Sequence, residues 1–113
     1  MCMEISKEEL LRINKGFGGD LRSRSSLDYA FEKIENKKLG MYKKIAYLLR
    51  AILVDPPFSD GNKRTAAYAC LSFVSASGKN VDRELLMHHI VSIAKQNIHN
   101  LKNIEWRLKN AIK

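Results

Sequence analysis

The centre of this sequence reads Asp55-Pro56-Pro57-Phe58-Ser59-Asp60-Gly61-Asn62-Lys63-Arg64-Thr65-Ala66. Apolar segments flank this polar loop on both sides: residues 45–54 carry a single charge, and residues 65–78 carry none. Long apolar segments of this kind are typical of buried helices. The sequence therefore predicts two central helices, and a charge-rich loop between them points to a function.

The composition of the loop predicts a phosphate site. Pro56 and Pro57 end the preceding helix, because proline lacks an N–H group and restricts the residue before it. Gly61 permits a tight turn, and the helix that follows presents unpaired N–H groups that attract anions. Lys63 and Arg64 add full positive charges at this point, and arginine can bind a phosphate through two hydrogen bonds.

Two polar residues of the loop admit more than one role. Asp60 can ligate Mg²⁺, which binds beside phosphates through one or two carboxylates. Asn62 can orient an oxygen atom or cap the turn. In the alternative, purely structural interpretation, Asp60 and Asn62 cap the helix and Arg64 pairs with Asp55 or Asp60.

The loop resembles the signature of the Fic/Doc (Fido) superfamily, a His-Pro-Phe-x-Asp-Gly-Asn-Lys-Arg type of motif. Residues 57–64 fit it, and Pro56 stands where the family has its catalytic histidine. The ending Lys-Arg-Thr-Ala, with Ala67 in place of a second arginine, is similar to the Doc (death-on-curing) branch. Upstream, Phe17-Gly18-Gly19-Asp20-Leu21-Arg22, with Leu27 and Ala30, resembles a segment near the start of Doc-like proteins.

The resemblance implies a transferase site that moves a phosphate-containing group from a nucleotide to a protein hydroxyl. It implies ATP or another nucleotide as substrate, bound with Mg²⁺. The residues implied are Asp60 for the metal, Gly61, Asn62, Lys63 and Arg64 for the phosphates, and Arg22 and Thr65 as auxiliary groups. Doc-like members are toxins that phosphorylate a translation elongation factor and are inhibited by an antitoxin, so a small antitoxin and a translation factor are the partners implied.

The missing histidine leaves three interpretations open. In the family this histidine is the general base, and Pro56 has no side-chain base. The first interpretation is a Doc-like transferase that is slow or uses another base, such as His88, His89 or His99. The second is a degenerate member that binds a nucleotide or a protein without turnover. The third is a basic helical binding module in which the motif is only structural.

Length and composition set the remaining bounds. With 113 residues, 45% of them hydrophobic, we expect a single soluble domain over residues 1–113. No apolar run is long enough for a membrane span. Cys2 and Cys70 are too few for a disulfide framework, so we expect reduced thiols and a cytoplasmic protein. The net charge of +8 is spread over the chain, which favours solvated helix faces or an acidic protein partner over nucleic acid.

The rest of the chain completes an all-α bundle of about six helices. Ser6 to Glu9 form a capping box, an N-cap for the second helix is expected within residues 23–26, and Asp82 caps the fifth helix. Related proteins carry a flap before the central helices, and here residues 36–42 leave room for a short hairpin or a polar turn. In the last helix, which has a basic outer face, Trp106 is predicted to anchor the helix by burial, and a role in recognition at the surface is the alternative.

Overall fold

The computed structural model of the protein describes residues 5–113, so that Cys2 lies outside the described part. These residues form six helices and no β-strand, which confirms the predicted all-α bundle. None of the described helices is long and apolar enough to cross a membrane. The helices are α1 (Lys7–Gly16), α2 (Ser25–Ile34), α3 (Met41–Leu53), α4 (Asn62–Ser77), α5 (Arg83–Gln96) and α6 (Leu101–Ala111).

Most helix starts follow from local capping. The predicted capping box of α1 is present, since Ser6 accepts a hydrogen bond from the Glu9 N–H and the Glu9 carboxylate accepts one from the Ser6 N–H. The predicted cap of α5 is also present at Asp82. The N-cap of α2 lies within residues 23–26, as predicted, but it is Arg24 and not a serine, and it makes no side-chain cap bond. The Ser26 hydroxyl instead donates to carbonyl groups at the end of α3 and in the loop after it.

Helix α3 is the centre of the bundle, as its apolar sequence predicts. It packs against α2, α4, α5 and α6, and eight of its thirteen residues are buried. Helix α4 packs against α1, α3 and α5. Within α4, Cys70 is a buried free thiol, and burial raises its pKa to about 12. The polar loop therefore connects two helices that are both packed into the core.

Residues 36–40 form a turn, and residues 41–42 already belong to α3, so the segment 36–42 contains no hairpin. The Leu39 N–H donates to the Asn36 carbonyl at 3.1 Å, and the Lys38 N–H donates to the Asn36 side chain at 3.0 Å. Helix α3 begins at Met41. Because these short-range bonds close the connection locally, no extended segment is left that could act as a flap strand.

Trp106 is exposed, so the prediction that it is buried was wrong. Helix α6 buries Ile104, Leu108 and Ala111, which recur at a spacing of four and three residues on one face. Trp106 lies two residues from both Ile104 and Leu108, which places it on the opposite face of a helix with 3.6 residues per turn. Its side chain is 61% exposed.

Candidate functional site

The polar loop is held against the segment before α2 by backbone hydrogen bonds. The N–H groups of Arg22 and Ser23 donate to the Pro57 carbonyl at 2.7 and 3.2 Å. The Ser59 N–H donates to the Asp20 carbonyl at 2.8 Å, and the Asp20 N–H donates to the Ser59 hydroxyl at 3.0 Å. These bonds place the backbone of Arg22, a predicted auxiliary residue, beside the first half of the loop.

The turn into α4 is shaped by Asn62 and Gly61. The Asn62 side chain accepts from the Phe58 N–H at 3.2 Å and donates to the Phe58 carbonyl at 3.0 Å. Gly61, the residue before the helix, has a φ of 72°, in the left-handed region that glycine adopts most readily. Its N–H donates to Asp60 Oδ1 at 2.8 Å. Asn62 therefore closes the loop, whichever ligand the loop binds.

A buried asparagine of α1 supports the loop from the side of the protein core. Asn14 is 1% exposed, and its Nδ2 donates to the Asp60 carbonyl at 2.8 Å and to the Thr65 hydroxyl at 3.1 Å. Thr65 is itself fully buried, so it lies under the loop. Sequence reasoning missed Asn14. The available signal was its position four residues after the core residue Leu10, on the buried face of an amphipathic helix.

Replacing Asn14 by alanine is expected to lower the free energy of unfolding by about 2–4 kcal/mol, because it leaves the buried Thr65 hydroxyl and the Asp60 carbonyl without their donor. The measurement is urea unfolding followed by circular dichroism. Asn110→Ala is the matched control, since Asn110 makes no side-chain hydrogen bond within residues 5–113. An equal, small effect for both variants would show that Asn14 does not support the loop.

Above Asn14, the loop and the start of α4 line an open pocket of about 350 Å³. The first backbone bond of α4 runs from the Thr65 N–H to the Gly61 carbonyl at 2.9 Å. The N–H groups of the three preceding residues therefore have no partner within the helix, and they make its start an anion site. The pocket is lined by Phe17, Ser59, Asp60, Gly61, Asn62, Lys63 and Arg64.

The positive charges of this pocket are not neutralised by ion pairs. The salt bridges of residues 5–113 join Lys7 to Asp28 and Lys43 to Glu105, and neither involves the pocket. Lys63 and Arg64 are exposed and take no part in a salt bridge within this range. The ion pair between Arg64 and a nearby aspartate, which the structural interpretation predicts, is therefore absent from the described residues. The local bonds of Asn62 and Asp60 that it also predicts are present.

One carboxylate lines the pocket. Asp60 is exposed at its edge, with Oδ1 bonded to the Gly61 N–H. The described residues contain no cluster of three metal-ligating side chains. Mg²⁺ at phosphate sites needs only one or two carboxylates, with oxygens of the phosphates and water completing its shell. The donor set is therefore compatible with Mg²⁺ that arrives together with a nucleotide.

The three candidate replacement bases lie in different surroundings, and His88 is exposed on α5 with its ring centroid 5.9 Å from that of His89. His89 lies between α5 and α6, where Arg107 donates to its Nδ1 at 3.0 Å. The pKa of His89 is lowered mainly by burial, and the charges of Arg107 and His88 lower it further. It is thus committed to the helix interface. His99 lines a second cavity, of about 430 Å³, together with Asp55, the residue before the exposed Pro56.

A sequence model of the Fic/DOC family matches residues 4–74, a span that contains the polar loop, Asn14 and every residue of the pocket. The chain belongs to the Fic/DOC family. Comparison with curated proteins and with solved structures found no match. Membership of the Fic/DOC family points to chemistry that transfers part of a nucleotide. Helices α5 and α6, with His89 and Trp106, follow the matched span.

Proposed function

We propose that this Fic/DOC protein binds ATP or a related nucleotide with its phosphates at the start of α4 and transfers a phosphate-containing group to a protein hydroxyl. The observation that carries the proposal is a pocket that combines free helix N–H groups with two cations that lack ion-pair partners, Lys63 and Arg64. Both features stabilise the charge of a phosphoryl group, and charge stabilisation and positioning provide most of phosphoryl-transfer catalysis.

The proposed roles follow from position. Gly61, Asn62, Lys63 and Arg64 bind the phosphates, with Asn62 also holding the loop in shape. Asp60 would hold Mg²⁺, which neutralises phosphate charge when it is bound. Arg22 does not line the pocket, but its N–H bonds the Pro57 carbonyl of the loop, and its side chain would be an auxiliary positive charge near the phosphates. Thr65 acts through Asn14 as part of the support under the pocket.

The proton of the acceptor hydroxyl needs a base that Pro56 cannot supply. The hydroxyl oxygen bonds to phosphorus while the bond to the leaving group breaks, which is ADP in phosphate transfer and pyrophosphate in AMP transfer. The hydroxyl proton must then pass to another group. Proton transfer to a positioned base contributes about 10²–10⁴ in rate. We propose that turnover is slow for this reason. We also propose that, if a histidine replaces the missing base, it is His99, which lines a cavity together with Asp55.

Isothermal titration with ATP and Mg²⁺ tests the phosphate site. Lys63→Ala/Arg64→Ala is expected to weaken binding about tenfold or more, because it removes charge-assisted hydrogen bonds to phosphate. This pair is preferable to a variant at Asn62, whose loss would also open the loop. Omitting Mg²⁺ is expected to weaken binding by the wild type.

Lys37→Ala/Lys38→Ala is the matched control for that titration. It removes the same charge from two exposed lysines of the turn before α3, away from the pocket. Its ATP affinity should stay near that of the wild type. Equal losses for both double variants would mean that ATP is attracted only by the net charge of +8. Absence of any binding by the wild type would refute the nucleotide site.

We also propose that the protein is a Doc-like, toxin-type member in the cytoplasm, regulated by a small antitoxin and directed at a protein such as a translation factor. Support comes from the Lys-Arg-Thr-Ala ending of the motif. The position of the second arginine is occupied by Ala67, which packs half-buried against the core and brings no charge to the pocket. The alternative function is nucleotide or protein binding without turnover. The lack of a side-chain base at Pro56 favours this alternative.

A further inference from the structure

Phe17 is an aromatic residue that lines the pocket without being part of the core. Its side chain is half-buried, and it belongs neither to the hydrophobic core of the described residues nor to the half-buried side chains packed against that core. It faces the same pocket as Lys63 and Arg64. A phenylalanine that does not contribute to the core and lies beside cations is placed for contact with a ligand.

The position of Phe17 is fixed by the end of α1. Its N–H donates to the Asn14 carbonyl at 2.9 Å and to the Ile13 carbonyl at 3.2 Å. A Cβ atom added to Gly61 would come within 3.1 Å of the Phe17 Cβ. The side chain therefore starts directly beside the glycine that precedes α4, and the absence of a side chain on Gly61 leaves it room.

The other groups that line the pocket can bind phosphate, but they do not explain how the nucleoside part of a nucleotide would be bound. They are backbone N–H groups, two cations, one carboxylate, an amide and a hydroxyl. Phe17 is the one aromatic ring in the lining. Aromatic rings bind nucleobases by stacking, whichever base is present.

We propose that Phe17 contacts the nucleobase of the bound nucleotide, so that the pocket prefers a nucleoside triphosphate to an inorganic polyphosphate. This inference rests on the proposed function and adds the group that recognises the nucleoside half of the ligand. Because stacking tolerates different bases, ATP and GTP should bind with similar affinity.

The experiment compares ATP with inorganic tripolyphosphate, both with Mg²⁺, by isothermal titration. Phe17→Ala and Phe17→Leu are expected to weaken ATP binding by about 5- to 150-fold, the range for loss of one base–aromatic contact. Tripolyphosphate affinity should not change, because its contacts are made by the loop and α4. Phe17→Tyr keeps an aromatic face and should retain ATP affinity. Circular dichroism verifies that each variant is folded.

Tyr68→Ala is the control for the choice of ring. Tyr68 is 48% exposed on α4, one turn after Arg64 and on the same helix face. A loss of ATP affinity in Tyr68→Ala, and not in Phe17→Ala, would overturn the inference. Equal weakening of ATP and tripolyphosphate by Phe17→Ala would overturn it as well, since the ring would then only shape the loop. If the wild type binds neither ligand, the proposed function fails and the inference fails with it.

Discussion

Gly19→Ala is expected to lower the free energy of unfolding by about 3 kcal/mol or more, a large part of the stability of a domain of this size. Gly19 is buried, and a Cβ atom at this position would overlap the side chain of Asn14 and the carbonyl oxygen of Asp60. The backbone oxygen cannot move aside without moving the loop. Asn14 would have to give up its bonds to Asp60 and Thr65. Stability and ATP binding should therefore fall together.

Gly16→Ala provides the control for this experiment. Gly16 ends α1, and a Cβ atom there would meet no atom within 4 Å. Alanine is favoured over glycine in a helix, so this variant should be more stable by about 0.5–1 kcal/mol. Each change adds one methyl group, and the two positions are three residues apart in the chain. Their free energies of unfolding are compared by urea unfolding with circular dichroism. A Gly19→Ala protein as stable as the wild type would show that the loop does not rest closely on α1.

Pro56→His is expected to raise the rate of group transfer by about 10²–10⁴, because it places an imidazole base at the start of the loop. Pro56 is exposed, so the larger side chain meets no core residue. The rate is measured as transfer of radioactive label from ATP to the proteins of a cell extract. Label on the γ-phosphate reports transfer of phosphate, and label on the α-phosphate reports transfer of AMP. Pro56→Ala, which adds no base, is the matched control.

The wild-type rate in the same assay separates the two candidate functions. A slow transferase labels proteins above the level of a Lys63→Ala/Arg64→Ala control, whereas a pure binding protein does not. His99→Ala should abolish the slow wild-type transfer if His99 supplies the base. If Pro56→His binds ATP but transfers neither label, the proposal that a missing base limits turnover is wrong.

The helices were predictable because their periodicity is local. The uncharged segment after Thr65 and the apolar positions of α3 identified the two central helices, and the structure confirms both. The same reasoning failed for Trp106, because aromatic character suggested burial while its phase on α6 places it opposite Ile104 and Leu108. At this position the helical period, and not the size or hydrophobicity of the side chain, decides whether the residue is buried.

The candidate site was predictable where its residues are consecutive. Residues 59–64 line one pocket because a single turn presents all of them. Asn14 lies 46 residues before Asp60, and no local pattern connects the two. The bonds between Asp20 and Ser59 likewise depend on how α1 and α4 pack. Phe17 belongs to the segment that resembles Doc-like proteins, but its place in the pocket follows only from the three-dimensional arrangement.

The exposure of Trp106 determines what an optical signal from this protein can report. It is the only tryptophan of the chain, and most of its indole already contacts water in the folded state. Denaturation therefore changes the surroundings of this fluorophore very little, and the folded and unfolded states are expected to share the long-wavelength emission of an indole in water. A partner that covers α6 would instead shift the emission to the blue, so the same residue that is insensitive to unfolding is a sensitive reporter of contact on that helix.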